Sequence, residues 1–152
     1  MTLTQKETSL LSDLKSQEQL CIDKYQRYSD EACDGALKNL FTEIRNTEKT
    51  HLDTINQILS GSEVKMPSAA PSATEAAKTF TPSSCPADKK QNDAYLCRDA
   101  LAMEKHVSSV YDVSVFEFSN PTLRDTLAHI QKEEQNHGAE LYNYLSANGM
   151  YG

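Results

Sequence analysis

With 152 residues, 38% of them hydrophobic and no tryptophan, the chain is long enough for one domain with a single core of modest size. Its formal charge of −7 and pI near 5.0, with lysines and arginines scattered along the chain, argue against nucleic acid or an anionic membrane as a partner. No apolar run approaches the roughly 20 residues that span a bilayer, and the polar opening Met1-Thr2-Leu3-Thr4-Gln5-Lys6-Glu7 predicts cytoplasmic synthesis without a signal peptide.

The first predicted helix starts at Thr4, with Glu7 placed to close a capping box, and carries the seam Leu11, Leu14, Glu18, Cys21, Tyr25. It ends near Ser29-Asp30, and Cys33-Asp34-Gly35 make the turn. The second helix runs from about Ala36 to Leu59 with the seam Leu37, Phe41, Ile44, Glu48, His51, Ile55, Ile58, and stops at Ser60-Gly61. Residues 61–92 hold Pro67, Pro71, Pro82 and Pro86 among serines and alanines, which predicts a long connection. The third helix is expected from about Asp93 to Phe118, with the seam Cys97, Ala100, Glu104, Val107, Tyr111, Ser114, Phe118. Asn120 caps the fourth helix and Pro121 opens it; its seam is Leu123, Leu127, Ile130, Glu134, His137, Leu141, Tyr144, and Asn148-Gly149 end it.

The second hairpin repeats the first at an offset of 86 residues. Eleven of the fifty-one positions from Leu10 to Ser60 are identical to the residue 86 further on, without a gap. Among the matched pairs are Glu18 with Glu104, Tyr25 with Tyr111, Glu48 with Glu134 and His51 with His137. The chain is therefore expected to be all-α, a single domain over 1–152 built from a hairpin at 4–60, a crossover at 61–92 and a second hairpin at 93–147. Two short turns and one long crossover resemble the ferritin-like four-helix bundle.

Register decides where the polar seam residues go. Glu18 and Glu48 are equidistant from residue 33 in the first turn, and Glu104 and Glu134 from residue 119 in the second. Fifteen residues at a rise of 1.5 Å put all four about 22 Å from their turns, at one level. Within each Glu-x-x-His the two side chains share a helical face. Glu18, Glu48, His51, Glu104, Glu134 and His137 thus form the ligand set of a dinuclear centre, one Glu from each of two helices and Glu-x-x-His from each of the others. Four carboxylates neutralise two divalent ions, and oxygen donors mixed with imidazole suit iron or manganese, with zinc also compatible. Tyr25 and Tyr111, two turns beyond Glu18 and Glu104, are placed either to hydrogen-bond ligand carboxylates or to fill the core. His106, His129, Asp13 and Asp99 are expected at the surface. Cys21 reads as core filler, and all four cysteines are expected as free thiols.

Three stretches carry a resemblance to a family: Leu10 to Tyr25 (LLSDLKSQEQLCIDKY), Glu48 to Leu59 (EKTHLDTINQIL) and Asp99 to Tyr151, with NPTLRD…HIQKEEQNHG the most specific part. The chain resembles the spore coat protein F (coat F) family of endospore-forming bacteria. That resemblance implies location in the spore coat, other spore coat proteins or a second copy of the chain as partners, and a ferritin-like fold, but no particular reaction. No catalytic residue is singled out. Three readings stay open: an oxidoreductase acting on peroxide or dioxygen, a structural or assembly component of the coat with a structural or vestigial metal site, and, weakest, an iron-storage cage. Nothing in the chain resembles the short fifth helix that usually completes such cages.

Overall fold

A computed structural model describes residues 2–65 and 78–151. Four helices follow in order, α1 (Gln5–Glu31), α2 (Gly35–Leu59), α3 (Ala87–Glu117) and α4 (Pro121–Ala147). Their ends have local causes. Thr4 accepts from the Glu7 N–H while the Glu7 carboxylate accepts from the Thr4 N–H, the full capping box. Asp34 caps α2 by accepting from the Ala36 N–H. Asn120 caps α4 by accepting from Thr122 and Leu123, with Pro121 at the first helical position. Gly61 (φ 79°) and Gly149 (φ 63°) take the left-handed conformation that ends α2 and α4. Each closes the same pair of bonds, Gly61 N–H to Ile58 and Ser62 N–H to Gln57 in one case, Gly149 N–H to Ser146 and Met150 N–H to Leu145 in the other.

All of the seam residues named above are buried. They form one core between two antiparallel hairpins, α1–α2 and α3–α4, joined by the crossover: the ferritin-like bundle. Within it α1 runs antiparallel to α3. Asn92 donates to Glu31 and Lys24 to Asp99 at one end, while Lys6 pairs with Glu117 at the other. No helix among the described residues is long and apolar enough to cross a membrane.

The structure corrects several expectations. Helix α3 begins at Ala87, earlier than Asp93, because Pro86 supplies the stop and Ala87 to Asn92 contain nothing that breaks a helix. Asp93, at 0% exposure, accepts the backbone N–H groups of Cys33 (2.8 Å) and Asp34 (3.0 Å), which docks the α1–α2 turn onto α3. That docking brings Cys33 beside Cys85, and the two form a disulfide with Cα atoms 6.5 Å apart, against the expectation of free thiols. Cys21 and Cys97 are free and buried. Asp99 is only partly exposed, accepting from Lys24 and Tyr28. Residues 66–77 of the expected 61–92 connection, Pro67 and Pro71 included, lie outside the described residues. Its returning end packs Phe80 edge-on against Tyr144, with ring centroids 5.3 Å apart.

Asp93 holds two buried N–H groups at once, so Asp93→Ala is expected to destabilise the protein by about 2–3 kcal/mol. The measurement is the denaturant midpoint at unchanged slope.

Candidate metal centre

The paired hairpins bring the polar seam residues to one level. Glu18 comes from α1, Glu48 and His51 from α2, Glu104 from α3, and Glu134 and His137 from α4, none more than 6% exposed. Two groups of four ligand-type side chains result: Glu18, Glu48, His51 and Glu134, and Glu48, Glu104, Glu134 and His137. In each group, one donor atom per residue lies within 4.8 Å of the others. Glu48 and Glu134 belong to both groups, as carboxylates spanning two cation positions would. The other four residues each belong to one position.

Both imidazoles face inward through Nδ1. His51 Nδ1 lies 3.0 Å from Glu134 Oε1, 3.1 Å from Glu48 Oε2 and 3.7 Å from Glu18 Oε1. His137 Nδ1 lies 3.2 Å from Glu48 Oε1, 3.5 Å from Glu104 Oε1 and 3.6 Å from Glu134 Oε2. The tyrosines cross between hairpins. The Tyr25 hydroxyl donates to Glu104 Oε1 and the Tyr111 hydroxyl to Glu18 Oε1, each at 2.5 Å. Each phenol thus fixes one oxygen of a carboxylate and leaves the other, Oε2, without a hydrogen bond.

Whether a metal pair suits these residues can be judged from their unmet bonds. Glu18 Oε2, Glu48 Oε1, Glu104 Oε2, Glu134 Oε2, His51 Nε2 and His137 Nδ1 are buried without a hydrogen bond. Among the described residues the only other buried side-chain atom of that kind is Arg45 Nε. Unpaired buried groups cost stability, and here they are almost confined to one set of oxygen and imidazole donors. The donor set fits two hard or borderline divalent cations.

Electrostatics agree with that fit. Burial, and then the neighbouring Glu48 carboxylate, holds Glu18 well above the usual carboxylate range; burial and Glu104 do the same to Glu134. Burial also works to raise Glu48, but the neighbouring Glu18, His137 and His51 pull it well below. Burial works against charging His51, yet Glu133 and Glu48 push it up to about 10, and His137 is likewise raised by Glu104, Glu134 and Glu48. Protons thus occupy places that divalent cations would take. Cys21, next to the cluster, has its thiol pushed up by burial and then by the carboxylates of Glu48 and Glu18, so it stays neutral.

Glu133 was not among the sequence candidates. Its Oε1 lies 3.4 Å from His51 Nε2 and 2.9 Å from His129 Nε2, so it stands behind His51 and draws His129 into a half-buried pair rather than leaving it at the surface. The repeat hides it, because the matching position in the first hairpin is Thr47.

Fold and centre together define a ferritin-like bundle with two buried Glu/His clusters, able to hold a dinuclear metal site. Residues 92–152, essentially α3 and α4, match the family model described as the Coat F domain. No curated protein and no solved structure matches the chain.

Two expectations follow. The first concerns pH. Without metal, folded Glu18 and Glu134 keep protons that unfolded glutamates lose near 4.5, and His51 keeps one that an unfolded histidine loses near 6.5. All three are raised, so their contribution is whole below those values and falls away as pH rises, for His51 through about 10. The Tm of chelator-treated protein is expected to fall between about pH 6 and pH 9, and a divalent cation, by displacing those protons, to flatten or reverse that slope. Secondly, Tyr111→Phe frees Glu18 and is expected to weaken metal affinity by about 10- to 100-fold at nearly unchanged fold, read by competition with a chelator.

Proposed function

We propose that the chain carries a dinuclear iron or manganese carboxylate centre and acts on peroxide or dioxygen in the setting of the spore coat. One observation carries the proposal: six ligand-type residues from all four helices converge in two adjacent groups, with an unbonded buried oxygen on each of the four glutamates and an unbonded Nδ1 on His137. When bound, the metal pair supplies Lewis-acid polarisation of an O–O unit and the electrons for its reduction. The chain's own residues do the rest. Glu48 and Glu134, common to both groups, would serve both ions, and Glu18 with His51, and Glu104 with His137, would complete one each. Tyr25 and Tyr111 keep Glu104 and Glu18 in orientation. Ile44, Val107 and Ile130, each one turn from a ligand-type glutamate on its own helix, are buried. The coat setting rests on the Coat F match, and its partners on this reading are other coat proteins or a second copy of the chain.

A structural role is the second reading, favoured by the same cluster. The donors come from four helices, and the mutual repulsion of buried carboxylates is relieved when cations are held between them, so metal binding would add directly to folding stability.

Elemental analysis of protein made in iron- and manganese-supplemented medium is expected to find about two metals per chain. Glu48→Ala and Glu134→Ala each remove a ligand from both positions and should drop occupancy below about half a metal, whereas Glu18→Ala should leave about one. Metal uptake with peroxide consumption or an oxygen-dependent spectral change supports the oxidoreductase. Uptake with neither, but with a large rise in Tm, leaves the structural reading. No uptake defeats both.

A further inference from the structure

Between α3 and α4 lies a cleft of about 310 Å³ whose floor is Glu104 and Glu134 and whose walls include Leu101, Ser108, Gly138 and Tyr142. Glu104 Oε2 and Glu134 Oε2 are both buried without a hydrogen bond. Tyr151 adds its ring to the wall, edge-on to Tyr142 with centroids 4.7 Å apart. Lys105 contributes a cation to the lining and is exposed to solvent.

The repeat shows what made the opening. Moved back by 86 residues, Ser108 becomes Ile22 and Gly138 becomes Leu52, side chains bulky enough to fill what serine and glycine leave open. Leu101 and Tyr142 become Lys15 and Asn56, so the first hairpin also lacks the apolar walls. Gly138 is not required by the backbone. It lies inside α4, and a Cβ there would meet Leu101 Cδ1 at 3.7 Å, an ordinary contact. The missing side chain serves the space beside it.

We propose that this cleft binds a small phenol, its ring against Leu101, Tyr142 and Tyr151 and its oxygen directed to the Glu104–Glu134 floor. An edge-on tyrosine pair beside a leucine suits a planar ring. The volume is at the lower end of the range for small-molecule sites, enough for one substituted ring and large for peroxide alone. A neutral phenol hydroxyl can donate to the unbonded Oε2 of Glu104 or Glu134. The inference deepens the function proposed above and rests on it for what the oxygen meets at the floor.

The full chain, with and without manganese, is titrated with 4-nitrophenol and followed by its absorbance, with metal content measured separately. Wild type is expected to bind saturably. Gly138→Leu and Ser108→Ile, which install the bulk of the first hairpin, should each weaken binding by about tenfold or more, while Gly138→Ala stays within about twofold. Ser108→Ile, on the opposite wall, decides the matter if Gly138→Leu fails to give the helical circular dichroism of wild type. No saturable binding to wild type in either metal state overturns the proposal, as does binding that the correctly folded bulky variants retain. Failure to take up metal sinks the dinuclear centre instead, and the titration of the metal-free chain still judges the cleft.

Discussion

Glu18, Glu48, Glu104 and Glu134 face one another across an apolar interior, and that arrangement constrains everything around it. Buried like charges at this spacing cannot all be ionised without counter-charge, so the protein needs protons, imidazoles or cations among them. Because each helix contributes at least one of the carboxylates, the register of all four helices is tied to a single level. The tyrosine bonds from α1 to Glu104 and from α3 to Glu18 make the same tie across the hairpins. A slide of one hairpin along the other by a turn would break both bonds and separate the donors. The polar cluster therefore sets the geometry of the core as well as its chemistry.

The halves share this frame and differ outside it. Glu133 stands behind His51, whereas Thr47 occupies the matching position in the first hairpin. The cleft opens beside Gly138 where the first hairpin has Leu52. The residues of the two Glu/His clusters recur in both halves, and the residues around them differ between the halves. The Coat F match lies over the hairpin that carries the cleft.

Much of this was legible in the sequence because its causes are local or periodic. Thr4 and Glu7 announce a capping box three residues apart, and the seams of all four helices follow from steps of three and four. The six buried donors emerged from the same periodicity joined to the repeat. What stayed hidden depends on contacts between distant segments. Cys33 and Cys85 stand 52 residues apart with no spacing that marks a pair, and only the docking of the turn onto Asp93 brings them together. Glu133 carries no mark in the sequence that sets it apart, since its contact depends on where His51 lies across the bundle. The early start of α3 was masked by a proline-rich approach that reads as loop until Pro86 proves to be its edge.

Reciprocal bonds between hairpins also have a consequence for how such a protein can change. In a pair of identical half-length chains, each substitution strikes twice, and a residue needed at one position could not be relaxed at the other. Joined in one polypeptide, the copies are released from that bond of sameness. One half can then carry a bulky side chain where its twin carries none, as leucine at 52 and glycine at the matching 138 illustrate, so the halves can differ without the shared frame being lost.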